Sequence, residues 1–436
     1  MKGIMKTLGF LTILWTILPL SAFADEAPKN SPKAIEEPTG AITLSQAVAL
    51  ALTRNPELQS FSLEIRAREA NALQAGLLPN PDLDVEVENA AGSGNFNGFT
   101  QSETTVQLSQ LIELGSKRAL RAAATSLSKD LAGWDYEAKR VDVLVQVSKT
   151  FTEVLGAQKK LDLMRDLMSL AKKVRSTVSE RVKAGKVSPI EEIKAGVALS
   201  STRIELKRAK KELETARKRL GATWGNNNPK FQTAQGNLLE ISPIPSPESL
   251  VKHISNNPDL ARWSTEIAQR QAVIDREKSN SIPSITLSGG YRRLGETDDN
   301  AFIFGVSIPL MFFNRNQGAI RASLHQLAKA ESDKRTAEVR INSALTEAFQ
   351  ALAIAHTEAE ALNTQVLPGA QKAFDAINEG YRFGKFGFLD VLDSQRTLFQ
   401  SKVQFLNALT AYHKAVADVE RLIGGKLNPE PVTETK

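Results

Sequence analysis

The chain is 436 residues long, with 55 Lys and Arg against 49 Asp and Glu, a formal net charge of +6, and no cysteine. Without cysteine there is neither a disulfide framework nor an acylated-cysteine lipid anchor. A charge so close to balance also speaks against a nucleic-acid partner.

Lys2 and Lys6 precede an apolar run from Leu8 to Leu20, and the small-residue end SAFA predicts a secretory signal peptide over residues 1–24. Residues 25–43 are polar and proline-rich at their start and read as an extended segment. Apolar periodicity then predicts a helix from Ser45 to Gly76, followed by a β-hairpin over 82–111 around the loop AGSGNFNGF. Its first strand, PDLDVEVE from Pro81 to Glu88, alternates at period two. Leu83, Val85 and Val87 face one way; Asp82, Asp84, Glu86 and Glu88 face the other.

A long helical stretch follows from Lys117 to Lys183, then a glycine-containing turn over 185–188 and a helix from Pro189 to Leu220. A linker over 221–246, rich in Asn, Pro and Ser, separates this unit (44–220) from a second (247–423). The second unit repeats the plan: a helix from Pro247 to Ser279, a hairpin over 283–308, a long helix from Gln317 to Phe383, a turn over 384–387 and a helix from Phe388 to Ile423. Residues 424–436 form a polar tail.

The repetition shows in the letters. NPEL (Asn55 to Leu58) returns as NPDL (Asn257 to Leu260), ALRA at Ala119 as AIRA at Ala319, and AGKVS at Ala184 as FGKFG at Phe383. In the long stretches, Val147, Phe151, Val154, Leu161, Met164, Met168, Ala171, Val174, Val178 and Val182 recur mostly at three- and four-residue steps. So do Ile341, Leu345, Phe349, Leu352, Ala359, Leu362, Val366, Ala370, Phe374, Ile377 and Tyr381, which predicts two coiled-coil seams. At 1.5 Å per residue, a helix from Lys117 to Lys183 is about 100 Å long, which implies an elongated object.

No catalytic constellation is present: GxSxG, HExxH, P-loop and GxGxxG motifs are all missing, so no enzyme activity and no cofactor is expected. His253, His325, His356 and His413 are far apart in sequence. His356 reads as a seam residue, and Met164 and Met168 as seam filler, so no metal site is expected.

The longest apolar run after the leader, Ala301 to Phe313, is too short for a membrane helix and contains Pro309. If the chain enters a membrane it does so through strands. Four strands in two hairpins cannot close a membrane barrel, whose smallest examples have about 8, so two or three copies would have to combine. In such a barrel Leu83, Val85 and Val87 would meet lipid, and Asp82, Asp84, Glu86 and Glu88 would line an acidic lumen. A soluble sheet with a solvated acidic face gives the same alternation.

The segments LSQLIELGSKRALR (Leu108 to Arg121) and SIPLMFFNRNQGAIRA (Ser307 to Ala322), with LSQAVALALTRNPEL at Leu44 and VADVERLIG at Val416, resemble the TolC family of outer-membrane efflux proteins, in particular its CzcC-like heavy-metal branch. The fold class implied is mainly α with a small β part. Two tandem repeats form long antiparallel coiled coils, an α-barrel tunnel, and four strands per chain contribute to a trimeric 12-stranded outer-membrane β-barrel.

The resemblance further implies a homotrimer in outer-membrane lipid with a long periplasmic part. A periplasmic adaptor (membrane fusion protein) and an inner-membrane pump of the resistance-nodulation-division class would be its partners, and heavy-metal cations its cargo. It also assigns sites. The turns Gly185, Lys186, Val187, Ser188 and Gly384, Lys385, Phe386, Gly387 would be the tips that meet the adaptor. Tyr381, Asp390 and Asp393 match the family's periplasmic pore entrance, while Phe386 stands where some members carry a lock-forming arginine. The same duct carrying organic drugs, or a soluble periplasmic coiled-coil adaptor or scaffold, are the alternative readings.

Overall fold

The computed structural model describes residues 36–427. The expected signal peptide, residues 25–35 of the extended segment and residues 428–436 of the tail lie outside the described residues. In chain order the elements are β1 (Ala41–Thr43), α1 (Leu44–Arg54), α2 (Pro56–Ala75), β2 (Asp82–Glu88), β3 (Glu103–Ile112), α3 (Lys117–Lys183) and α4 (Pro189–Ala222). They continue with β4 (Thr233–Gln235), α5 (Pro247–Val251), α6 (Pro258–Ser279), β5 (Ile285–Leu294), β6 (Asp299–Ser307), α7 (Gln317–Ala361), α8 (Leu367–Arg382) and α9 (Phe388–Ile423).

Where one helix was expected before each hairpin, the structure has a break at the same place in both repeats. Pro56 and Pro258 each open a new helix, because proline disfavours helical geometry in the residue before it and tolerates the first helical turn. The preceding asparagines do double duty. Asn55 Oδ1 accepts from the Leu58 N–H at 3.0 Å, while its Nδ2 donates to the Thr223 carbonyl at the end of α4 at 2.8 Å. Asn257 Oδ1 accepts from the Asp259 N–H at 2.8 Å, and its Nδ2 donates to the Leu422 carbonyl near the end of α9 at 3.0 Å. The repeated NP dipeptide thus starts one helix and satisfies the end of another.

α3 runs unbroken for 67 residues, about 100 Å. The second long helix does not. A π-helical turn, Leu362–Val366, separates α7 from α8 just ahead of Pro368. Proline cannot donate the i→i−4 hydrogen bond of a regular helix, and a π turn accommodates it. The extra residue shifts the phase of the apolar stripe, so Val366, expected in the seam, is 42% exposed, while Leu362 and Phe374 on either side remain buried.

The core follows the expected stripes. Val147, Phe151, Val154, Leu161 and Met164 of α3 pack with Ala209, Leu213 and Ala216 of α4 and with Ala408 and Leu409 of α9. Ile341, Leu345 and Leu352 of α7 pack with Tyr412, Ala415 and Val419 of α9. The linker is more ordered than its composition suggests. β4 pairs in parallel with β1, and Leu238 is buried in the first core, its carbonyl 2.9 Å from His413 Nε2. The tail also begins inside the fold, with Leu427 buried.

The two hairpins do not stand apart. They join edge to edge into one antiparallel sheet of order β2-β3-β5-β6. β3 pairs with β5 from Glu103 opposite Leu294 to Ile112 opposite Ile285. β2 and β6, the sheet's edges, run in opposite directions, so β6 of one copy and β2 of another are correctly oriented for antiparallel pairing.

Candidate functional site

Two regions carry the residues that the sequence singled out: the sheet and the helix tips. Directly opposed residues in a sheet share a face, so the registers assign every side chain to one side. On one face lie Leu83, Val85 and Val87 of β2, Val106 and Leu108 of β3, Leu287 and Tyr291 of β5, and Phe302, Phe304 and Val306 of β6. These side chains are exposed, Phe302 at 79% and Phe304 at 83%. An apolar face this continuous exceeds what a soluble surface tolerates.

The other face groups Asp82, Asp84, Glu86 and Glu88 with Ser109, Gln107, Thr105 and Glu103 across β3, and then with Ser288, Gly290 and Arg292 of β5. The four expected carboxylates therefore lie together on the side opposite the apolar residues. Asp84 accepts from the Ser109 hydroxyl at 3.1 Å. One residue there went unnoticed in the sequence: Arg292 donates to Thr105 Oγ1 at 2.9 Å and to Glu103 Oε2 at 3.0 Å, and lies 3.5 Å from Glu88 Oε2.

At the strand-to-helix junctions, the motif LSQLIELGSKRALR resolves into a clamp. Arg121 of α3 pairs with Glu113 through both carboxylate oxygens, at 2.6 and 3.1 Å, and donates to the carbonyls of Ala75, the last residue of α2, and of Leu77 just beyond it. The Arg121 hydrogen bond holds the Glu113 carboxyl below its ordinary pKa, against the opposing effect of burial. In the second repeat Asn316 Nδ2 donates at 2.8 Å both to the Glu277 carbonyl and to its carboxylate, whose pKa is likewise lowered, chiefly by that bond. Ser116 and Asn316, the residues before α3 and α7, both take left-handed backbone angles (φ 58° and 59°), so the chain turns from strand into helix in the same way twice.

At the opposite end, both turns close by one device. Gly185 (φ 69°) donates to the Val182 carbonyl and Lys186 to the Arg181 carbonyl, each at 2.9 Å; Gly384 (φ 77°) donates to Tyr381 at 3.0 Å and Lys385 to Gly380 at 2.8 Å. The paired bonds and the left-handed glycine end the helix and reverse the chain at once. Ser188 then caps α4 through its hydroxyl, accepting from Ile190 at 3.3 Å, while Asp390 reaches back to accept from the Gly387 N–H at 2.8 Å. Asp390 and Asp393 are both exposed, three residues apart on α9.

Tyr381, Phe388 and Val391 form a small core with Val178 of α3 and Ala195 of α4, so the structure brings the two tips together. The cation of this site comes from α3. Arg181 places its guanidinium 4.4 Å from the centre of the Tyr381 ring and donates to the Tyr381 carbonyl at 3.0 Å. Arg382 and Lys385, the basic residues near it in sequence, are exposed. Phe386 packs on Gly380, where a Cβ would come within 2.4 Å of its ring. Among the described residues the Tyr381 hydroxyl and Glu191 Oε2 are buried with no hydrogen-bond partner. Burial raises the Tyr381 phenol pKa, with the Glu191 carboxylate adding to the effect and Arg181 opposing it.

Among the described residues no three His, Cys, Asp or Glu side chains are grouped to hold a metal ion, and no helix is long and apolar enough to cross a membrane. His356 is partly buried against the Tyr412 ring, as its place on the stripe predicted.

The model of the family described as "Outer membrane efflux protein" matches residues 47–226 and 250–425. The chain is 36% identical over 403 residues to the cobalt-zinc-cadmium resistance protein CzcC of Cupriavidus metallidurans, covering 92% of this chain and 95% of that one. It is 23% identical to the nickel-cobalt-cadmium resistance protein NccC of Alcaligenes xylosoxydans xylosoxydans, covering 74% of this chain and 72% of the relative. Among solved structures it resembles CusC (TM-score 0.73, 17% identity, 88% of this chain and 92% of the other). It likewise resembles the outer-membrane channel CmeC of Campylobacter jejuni (TM-score 0.73, 18% identity, 90% and 86%).

Proposed function

The chain belongs to the outer membrane efflux protein family, and on that premise we propose that three copies form the exit duct of a tripartite heavy-metal efflux system. The observation that carries this reading is the two-faced sheet, with its continuous exposed apolar side and acidic reverse. Only lipid outside and water inside serve both faces at once. A soluble adaptor or scaffold would leave Phe302, Phe304 and Val306 in water.

The opposed edges β2 and β6 let copies pair in a ring, and three copies supply 12 strands. Strands cross the outer membrane, loops 89–102 and 295–298 open outside, and α3, α4, α7, α8 and α9 extend into the periplasm. There the tips Gly185, Lys186, Val187, Ser188 and Gly384, Lys385, Phe386, Gly387 meet the adaptor, which connects to an inner-membrane pump of the resistance-nodulation-division class. The leader over residues 1–24 directs export.

The duct is passive: energy comes from the pump. Asp390 and Asp393 of three copies form two acidic rings at the periplasmic mouth, and Tyr381 holds that mouth through the tip core. Asp82, Asp84, Glu86 and Glu88 continue the negative potential through the barrel, which favours cations and disfavours anions. The names of the relatives at 36% and 23% identity support divalent metal cargo.

Deletion of the chain from its host tests the cargo. Sensitivity to zinc, cobalt or cadmium with unchanged tolerance of dyes and detergents is expected; the reverse pattern would favour organic drugs. Recovery of the protein in the soluble periplasm without detergent would overturn the duct altogether.

A further inference from the structure

Glu88 and Glu103 stand directly opposite each other on β2 and β3. Two carboxylates in that relation repel each other, and where they face water they form a ready clamp for a divalent cation. In this chain the clamp is already filled. Arg292 Nη1 holds Glu103 Oε2 at 3.0 Å, Nη2 lies 3.5 Å from Glu88 Oε2, and Nε is tied to Thr105 Oγ1 at 2.9 Å. Asn89 adds a contact to Glu103 Oε1 at 3.4 Å. Arg292 is the single basic side chain on the polar face of the four strands among the described residues, and it lies beside the one place where two acids oppose each other across strands. Asp82, Asp84 and Glu86, nearer the helices, oppose Ser109, Gln107 and Thr105 and have no cationic partner among the described residues, unlike Glu88 and Glu103.

We propose that Arg292 is a selectivity-determining residue of the duct, a resident cation that occupies the Glu88–Glu103 pair so that permeating divalent metal does not lodge there. This rests on the reading that the polar face lines the lumen. Conduction needs carboxylates that attract the ion and none that keep it. The unpaired Asp82, Asp84 and Glu86 do the first, and the filled pair at the loop end secures release. A guanidinium suits the task because its planar fork meets both acids and the threonine at once and never deprotonates.

The test is zinc or cadmium block of potassium current through the purified, bilayer-reconstituted protein, with metal chloride added on the loop side. Arg292→Gln, which keeps a donor for Thr105, frees two carboxylates and is expected to lower the half-blocking concentration about tenfold, because two adjacent carboxylates facing water attract a divalent cation strongly once no resident cation neutralises them. Adding Glu103→Gln to Arg292→Gln should remove the gain, and Arg292→Lys should behave like the parent. If Arg292 only clamps the strands, Arg292→Gln lowers the heat resistance of the assembly and leaves block unchanged, which overturns the proposal.

Should Arg292→Gln fail to assemble, Glu88→Gln with Glu103→Gln leaves Arg292 uncompensated and must lower cation over anion permeability; no change there overturns the proposal as well. The lumen reading has its own control. If Asp84→Asn with Glu86→Gln leaves selectivity unaltered, the polar face does not line the path. If that pair shifts selectivity while Arg292→Gln leaves block untouched, the role of Arg292 alone fails.

Discussion

Arg181, near the end of α3, lies over the ring of Tyr381, near the end of α8, with 4.4 Å between guanidinium carbon and ring centre and a 3.0 Å hydrogen bond to the Tyr381 carbonyl. Two helices that approach the tip separately are thereby fastened within one chain. The cation that meets Tyr381 thus comes from α3, while Arg382 and Lys385, close to Tyr381 in sequence, are exposed.

Arg181→Met removes the ring contact and the hydrogen bond while keeping apolar length. A loss of about 1 kcal/mol is expected at the tip, enough to raise the open fraction about fivefold. Single-channel recording should show higher conductance or longer openings, and limited proteolysis faster cleavage near 184–187. Unchanged recordings would remove Arg181 from the closing apparatus.

Asp390→Asn with Asp393→Asn should lower the ratio of cation to anion permeability. Asparagine at 390 can still accept the Gly387 N–H that Asp390 now accepts at 2.8 Å, so the cap survives and the charge alone is tested. A reversal potential equal to that of the parent would exclude the two aspartates from the path.

Val85→Arg places a charge on the apolar side in mid-strand, at an expected cost of about 2–4 kcal/mol if that side meets the bilayer midplane. Heat-resistant oligomer on electrophoresis should fall sharply. Glu86→Gln, one residue on and facing the other way, should leave it intact; equal losses for both variants would contradict the assignment of faces.

Glu113 and Glu277 both have lowered carboxyl pKa values, set chiefly by Arg121 and Asn316. A depressed carboxyl stabilises the fold at pH values above its unfolded pKa, about 4.3, and that contribution is lost as pH falls through the lowered folded value. Unfolding midpoints in denaturant should therefore be flat from pH 7 to about 5 and drop below about 4. Arg121→Met should flatten that acid limb; an identical pH profile would show that the junction clamp contributes nothing measurable.

Asn55→Ala removes a helix cap and leaves the Thr223 carbonyl without its 2.8 Å donor. About 2 kcal/mol should be lost, and Asn257→Ala should match it because Leu422 loses the corresponding bond. A markedly smaller effect at one site would mean that the two repeats do not use the motif equally.

What the sequence determined by itself is what depends on near neighbours. Period two in PDLDVEVE assigned Leu83, Val85 and Val87 to one face and the four acids to the other, the seam residues of α3 announced a single long helix, and the glycines at 185 and 384 marked reversals. Each of these needs only the local backbone repeat or a residue's own torsional freedom. The tertiary structure decided what requires distant residues to meet: that β3 pairs with β5, that Arg292 fills the gap between Glu88 and Glu103, that Arg181 rather than Arg382 reaches Tyr381. Those relations rest on strand register and helix packing between segments about two hundred residues apart. A one-residue slip there would turn Arg292 to the apolar side without altering a single local signal.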